Sequence, residues 1–171
     1  MYNSNYKLLT KDYLSTNDVL LKPTTGILDS RSKAIINTSY IYSSPMDTVT
    51  DIELTKALVK QKQNAVFCRF LPLEKRQKAL TMFSSSPWFW YSVGVSDEDF
   101  EYLDDFFAIN KLDSVNISVD VAHGDTNLLL EVYKKYKNAS WCNNLMSGTI
   151  ANEYSAVSLQ QAGCTHIRVG I

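Results

Sequence analysis

The sequence has little of what most metal and nucleophile chemistries require. Only two histidines occur among its 171 residues, His123 and His166, too few for a histidine-based zinc site. The three cysteines, Cys68, Cys142 and Cys164, show no CxxC spacing and read as reduced, buried thiols of a cytoplasmic protein. Neither histidine has a visibly paired nucleophile, so no Ser-His-Asp arrangement is present. Glycine is scarce, with six in all, and no GxGxxG or Walker loop can be found. No apolar run approaches the ~20 residues of a membrane span. Met1 is followed by Tyr2, Asn3, Ser4 and Asn5, which leaves no secretory apolar region. The formal net charge is -1, without a basic block, and this argues against nucleic acid or an acidic membrane surface as the main partner.

What is present is a repeating alternation. Hydrophobic residues make up 45% of the chain, enough for a real core in one domain. From residue 40 onward, short apolar runs are followed by amphipathic stretches. YIYSSPMD (40–47) reads as a strand ended by Pro45, and DIELTKALVKQKQ as a helix with an acidic first turn at Asp51 and Glu53. NAVFCRF is strand-like, and PLEKRQKALTMF is a helix with Pro72 at its first position. WFWYSVGV is strongly β, and SDEDFEYLDDFFAI is a helix capped by Ser96. SVNISVDVA is a strand, DTNLLLEVYKKYK a helix acidic at its start and basic at its end, with Asp125 as its cap if Asp120 serves only its own loop, and SWCNNLMSG a poorer strand. NEYSAVSLQQAG is a helix with Gly163 just past its end, and THIRVG is a last strand. About six β/α steps joined by short connections imply a parallel sheet with crossover helices. Either an open doubly wound sheet or a (β/α)8 barrel would satisfy that pattern. Residues 1–39 stand outside the repeat as an N-terminal extension, with NDVLLKPTTG as an extra strand and turn. Residues 40–171 carry the β/α units of a single partial domain.

In both architectures chemistry gathers at the C-terminal ends of the parallel strands. Those ends carry Ser44–Thr48, Cys68-Arg69, Gly94, Asp120–Asp125, Ser147–Thr149 and Gly170-Ile171. The segment Asp120-Val121-Ala122-His123-Gly124 is the most informative. Asp120 either accepts hydrogen bonds from a ligand or binds backbone amides of its own loop, and the residues alone leave both open. His123 is more often a structural loop residue than an acid or base. Arg69 either holds an anion or forms a surface ion pair. Gly94 and Gly148 admit close approach of a ligand or of a neighbouring strand.

Taken together, NDVLLKP with SRS (17–23 and 30–32), SSPMDTVT (43–50), DVAHG (120–124) and QAGCTHIRVGI (161–171) closely resemble the IMP dehydrogenase/GMP reductase family, in the family's order. The resemblance implies a TIM (β/α)8 barrel that binds a purine nucleotide and a nicotinamide dinucleotide, usually in a homo-oligomer. RFLPLEKR and SVGVSDEDFEYL resemble GMP reductase segments, and RFLPLEKRQKALTMFSSSPWFWYSVGV leaves no room for the regulatory modules that IMP dehydrogenases insert. The implied activity is NADPH-dependent reductive deamination of GMP to IMP and ammonia. An IMP dehydrogenase without regulatory modules, using NAD, is the alternative, since SPMDTVT is equally typical of that branch.

Residue by residue, the resemblance implies that Ser44 and Met46 line the nucleotide pocket, with Gly148 and Thr149 beside them. Asp120, Val121 and Ala122 would meet the nicotinamide end of the cofactor. Ser30 and Arg31 would touch the cofactor from a neighbouring subunit. Ile171 would begin the segment that meets substrate, cofactor and a potassium ion in the complete protein. Two departures stand out: the family's GNV is Gly148-Thr149-Ile150 here, and Cys68 falls where many GMP reductases carry a cofactor-contacting lysine. The family's catalytic cysteine follows VGI in a glycine-rich loop, and no cysteine of this sequence matches it. No catalytic residue is therefore expected in this chain, and the barrel is expected to be incomplete. A second polypeptide would complete it, a longer product would contain it, or the chain would serve as a non-catalytic nucleotide-binding or assembly fragment.

Overall fold

A computed structural model describes residues 41–124 and 126–170, all within one compact unit. The chain alternates helix and strand throughout: α1 (Ile52–Lys60), β1 (Ala65–Phe67), α2 (Leu73–Phe83), β2 (Phe89–Val93), α3 (Asp97–Asn110), β3 (Val115–Val119), α4 (Asn127–Asn138), β4 (Cys142–Ile150), α5 (Glu153–Gln161) and β5 (His166–Val169). The five strands form one sheet in the order β1-β2-β3-β4-β5, and every pairing is parallel. Sequential order with a helix at each crossover is the signature of a barrel and differs from the reversed order of an open doubly wound sheet.

The expected strand at 40–47 is reduced to one parallel bridge, Tyr42 with Asn64. Pro45 lacks an amide hydrogen, and the chain turns back at once: Ser44 O accepts from Met46 N at 2.8 Å, and Met46 O accepts from Val49 N and Thr50 N. The described residues therefore hold five full strands rather than six. The segment expected to be a poor strand is instead the longest, β4. Its asparagines are satisfied within the sheet, because the amides of Asn143 and Asn144 donate to Asn116 Oδ1 at 3.0 and 2.9 Å. Asn116 in turn donates to the carbonyls of Pro87 and Phe89.

Period-two alternation divides the sheet into two faces. Phe67, Phe89, Tyr91, Val93, Val115, Ile117, Val119 and Leu145 join the main core with helix residues such as Leu80, Leu103, Phe107, Leu129, Tyr133 and Leu159. The opposite face carries Val66, Trp90 and Met146 as a smaller cluster against Tyr42, with Ser92 and Ser118 buried beside them. The sheet curls around this second face: Trp90 on β2 and His166 on β5 meet edge-on with ring centroids 4.7 Å apart, and Tyr42 packs against both. A flat five-stranded sheet would hold strands β2 and β5 roughly 14 Å apart. The described unit is thus a curled parallel half-barrel, helices outside and a partly polar face inside.

The helix ends follow from local chemistry. Asp51, Ser96, Thr126 and Asn152 each accept a hydrogen bond from the amide three residues on, as capping side chains do. Pro72 precedes the first residue of α2 as its N-cap, one position earlier than the sequence pattern implies. Gly163, just beyond α5, has φ +98, a conformation glycine adopts without penalty.

Candidate functional site

The C-terminal ends of the strands converge on Asp120. Its amide donates to Val93 O at 2.9 Å, which fixes the first residue after β3 against β2. Its carboxylate is held from β5 by Arg168, whose Nη1 donates to Oδ1 at 3.1 Å. Arg69, after β1, approaches Oδ2 through Nε at 3.7 Å, an ion pair without a hydrogen bond. Its carboxylate partners are guanidinium groups rather than the loop amides that one reading of the residues offered. Arg69 is an ion pair, with its guanidinium carbon also 4.0 Å from the centre of the Phe70 ring.

Arg168 is the residue that sequence reasoning passed over. Its Nη2 also donates to Val119 O at 3.0 Å and to Gly148 O at 2.8 Å. The signal lay in THIRVG: period-two alternation puts His166 and Arg168 on the same face, and that is the inner one. Gly148 makes the reach possible. A Cβ there would stand 2.5 Å from Arg168 O and 2.8 Å from Arg168 Cβ, and φ at Gly148 is +126. The close approach expected at Gly148 is therefore to a neighbouring strand. Gly94 adjoins Asp99 and Arg69, which a Cβ would meet at 3.0 and 3.3 Å. Asp99 Oδ2 accepts from Gly94 N at 2.8 Å, and Oδ1 accepts from Arg76 at 3.1 Å.

The loop after β3 is tied to β4 by main-chain bonds. Thr149 N donates to Val121 O at 3.1 Å and Thr149 O accepts from Gly124 N at 2.8 Å. The Tyr133 hydroxyl, from α4, donates to Gly124 O at 3.1 Å. Threonine in place of asparagine leaves this backbone exchange intact. Val121 packs its side chain toward the core, while Ala122 and His123 are exposed.

Ser44, Pro45, Met46, Asp47, Phe70, Asp120 and Arg168 enclose a cavity of about 420 Å³. Met46 and Phe70 are 52% and 65% exposed overall, so the cavity lining includes two exposed apolar side chains as well as a carboxylate. A neighbouring cavity, also about 420 Å³, runs along the inner face from Ser43 and Ser44 to Val66, Met146, His166 and Arg168. Arg168 and Ser44 border both. Thr50 sets the serine segment: its hydroxyl bonds the Ser44 carbonyl at 2.5 Å and the Ser43 hydroxyl at 2.9 Å, and Ser43 Oγ accepts from Val66 N on β1.

The predicted residues Ser44, Met46 and Asp120 thus share one cavity. Gly148 and Thr149 line neither cavity; they bond Arg168 and the loop after β3 instead. Ser30, Arg31 and Ile171, with the expected strand in NDVLLKPTTG, lie outside the described residues, and the cap of α4 is Thr126 rather than Asp125. Cys68 is fully buried, and its sulfur accepts from Phe70 N at 3.4 Å. Burial pushes the Cys142 thiol up to about 12 and the Cys164 thiol up to about 11. None of the three has the electropositive, accessible surroundings of a reactive thiolate. Among the described residues, no three His, Cys, Asp or Glu side chains cluster as a metal site, and no helix is long and apolar enough to cross a membrane.

Comparison with known proteins agrees with this arrangement. A family model described as IMP dehydrogenase / GMP reductase domain matches residues 14–171. The chain is 27% identical over 177 residues to a GMP reductase of Lactobacillus gasseri, covering 98% of this chain and 52% of that protein. It is 28% identical to a GMP reductase of Lactobacillus acidophilus, with the same coverage. To a GMP reductase of Oceanobacillus iheyensis it is 25% identical, over 90% of this chain and 49% of that protein. The chain spans about half the length of the curated relatives it matches. With the sequential parallel half-barrel and its strand-end cluster, the match leads to one conclusion: the chain belongs to the IMP dehydrogenase / GMP reductase family.

Proposed function

We propose that the chain is the nucleotide-binding portion of a GMP reductase-type oxidoreductase, which converts GMP to IMP and ammonia with NADPH. The observation that carries this reading is the meeting of Ser44, Met46 and Asp120 at one cavity from segments far apart in sequence. GMP reductase is also the name of the relatives it resembles. The passage from β1 through α2 directly to β2 leaves no place for the inserted regulatory modules of IMP dehydrogenases and favours the reductase branch.

The residues present fit a nicotinamide ring with its carboxamide. Met46 and Phe70 offer exposed apolar surface to a planar ring, and Asp120 offers acceptor positions to an amide N–H. A carboxylate has about four lone-pair sites, and the hydrogen bond from Arg168 occupies one of them. When bound, the dinucleotide supplies the hydride. The chain's own contribution is to orient: Ser44 donates or accepts at the nucleotide, and Asp120 holds the amide. The arginine pair fixes the Asp120 carboxylate, which limits the reorganisation needed on binding. The family's thiol nucleophile is supplied from outside these residues in this reading, because Cys68 and Cys164 are buried, Cys142 is partly buried, and none of the three lines either cavity. A homo-oligomer or a second polypeptide would complete the site.

The test is calorimetric titration of the purified chain with GMP and with IMP, fluorescence titration with NADPH and NADH, and an assay of NADPH absorbance with GMP. Binding of GMP and NADPH without turnover is expected. Preference for IMP and NADH would favour the dehydrogenase branch, and a folded chain that binds no purine nucleotide would end the proposal. Burial of Cys68 and Cys164, with Cys142 partly buried, also favours a second reading, a non-catalytic nucleotide-binding subunit. It predicts GMP binding that no added polypeptide converts into turnover.

A further inference from the structure

Arg168 is placed unlike any other cation among the described residues. It borders both cavities and crosses β4 to reach β3. There it divides its guanidinium among the Asp120 carboxylate and the carbonyls of Val119 and Gly148. Three acceptors on two strands over-determine the position of one planar group, which a point-charge ammonium could not satisfy in the same way. The bond is to Asp120 Oδ1 only. Oδ2 faces Arg69 Nε at 3.7 Å without a hydrogen bond, so Oδ2 keeps acceptor capacity for a ligand.

From this geometry we infer that Arg168 is a positioning residue. It locks Oδ1 of Asp120 and so turns Oδ2 toward an N–H-bearing ring in the cavity beside Met46 and Phe70. The inference rests on the nucleotide-binding reading above and extends it, since it assigns the orientation of Asp120 to a residue of another strand that acts through the carboxylate. Gly148 belongs to the same device: only a residue without a Cβ lets the β5 backbone and Arg168 lie so close. A positioning role differs from a purely structural one in its coupling. Two residues that act through one contact lose their effect together, whereas independent ones add.

The experiment is a double-mutant cycle on the full chain, with Arg168→Gln, Asp120→Asn and the pair, read by NADPH fluorescence titration and by GMP calorimetry. Each single change is expected to weaken NADPH binding about tenfold, and the pair by no more than either alone. GMP affinity should change less than about twofold. Arg168→Lys, which keeps the charge and one donor toward Asp120, should recover part of the NADPH affinity, with a melting temperature close to that of Arg168→Gln. Additive losses in the pair, or equal losses of GMP and NADPH binding with Arg168→Gln, would overturn the positioning role while leaving the nucleotide-binding reading in place. A wild-type chain that melts cooperatively yet binds neither ligand would overturn both.

Discussion

Arg168 lies against Gly148 so closely that a single added carbon at position 148 would stand 2.5 Å from the Arg168 carbonyl oxygen. That proximity joins the last two strands of the half-barrel and lets one guanidinium span from β5 to the end of β3.

Gly148→Ala should therefore be among the most damaging small substitutions. It combines the clash with a φ of +126, in a region that disfavours L-residues. A loss of about 2 to 4 kcal/mol is expected, read as a lower urea midpoint with an unchanged slope. A variant as stable as the wild type would show that β5 can shift away freely.

Asp99 holds two elements at once, the Gly94 amide after β2 and the Arg76 guanidinium on α2. Asp99→Ala leaves Arg76, largely buried at 15% side-chain exposure, without its counter-charge. A loss of about 2 kcal/mol is expected, and thermal denaturation of the two proteins side by side would measure it. Asp97→Ala removes only an ion pair with Lys135 in which Asp97 is 81% exposed, and should change the midpoint hardly at all.

How much of this could be read from the residues alone depended on whether a pattern was local. Ser96 as a cap, Gly163 past a helix end and the β/α alternation are set by neighbours within one or two turns, and the structure carries each of them. The bridge at Tyr42 was less legible. Its β-forming residues suggested a strand, but Pro45 and the Thr50 hydroxyl fold the segment into a turn. β4 was underrated because asparagines disfavour strands on average, whereas here Asn116 satisfies them across the sheet. Arg168 went unread because its partners lie on β3 and β4, and only the curl of the sheet brings them together.

His166 provides a pH signature. Burial lowers its pKa from the ordinary 6.5, with Trp90 and Tyr42 rings against it. The folded state then binds fewer protons than the unfolded state just below pH 6.5, so stability falls as pH drops through that window. Urea midpoints between pH 7.5 and 5 should decline for the wild type and decline less for His166→Phe. Identical slopes would remove His166 from the account.

The thiols offer a chemical check. With Cys142 and Cys164 pushed up to about 12 and about 11 by burial, less than about one thiol in a thousand is ionised at pH 7.5. Iodoacetamide labelling followed by mass spectrometry should find both unmodified in the native chain and modified in urea. Rapid native labelling of either would return a candidate nucleophile to this chain.

The paired bonds between Thr149 and the residues Val121 and Gly124 have a dynamic corollary. The connection after β3 is stitched to the end of β4, so neither segment can lift without breaking the bonds that hold the other. A molecule that quiets one of them will quiet its neighbour too, through peptide groups that are blind to side-chain identity, and amide exchange at Gly124 and Thr149 should slow in step.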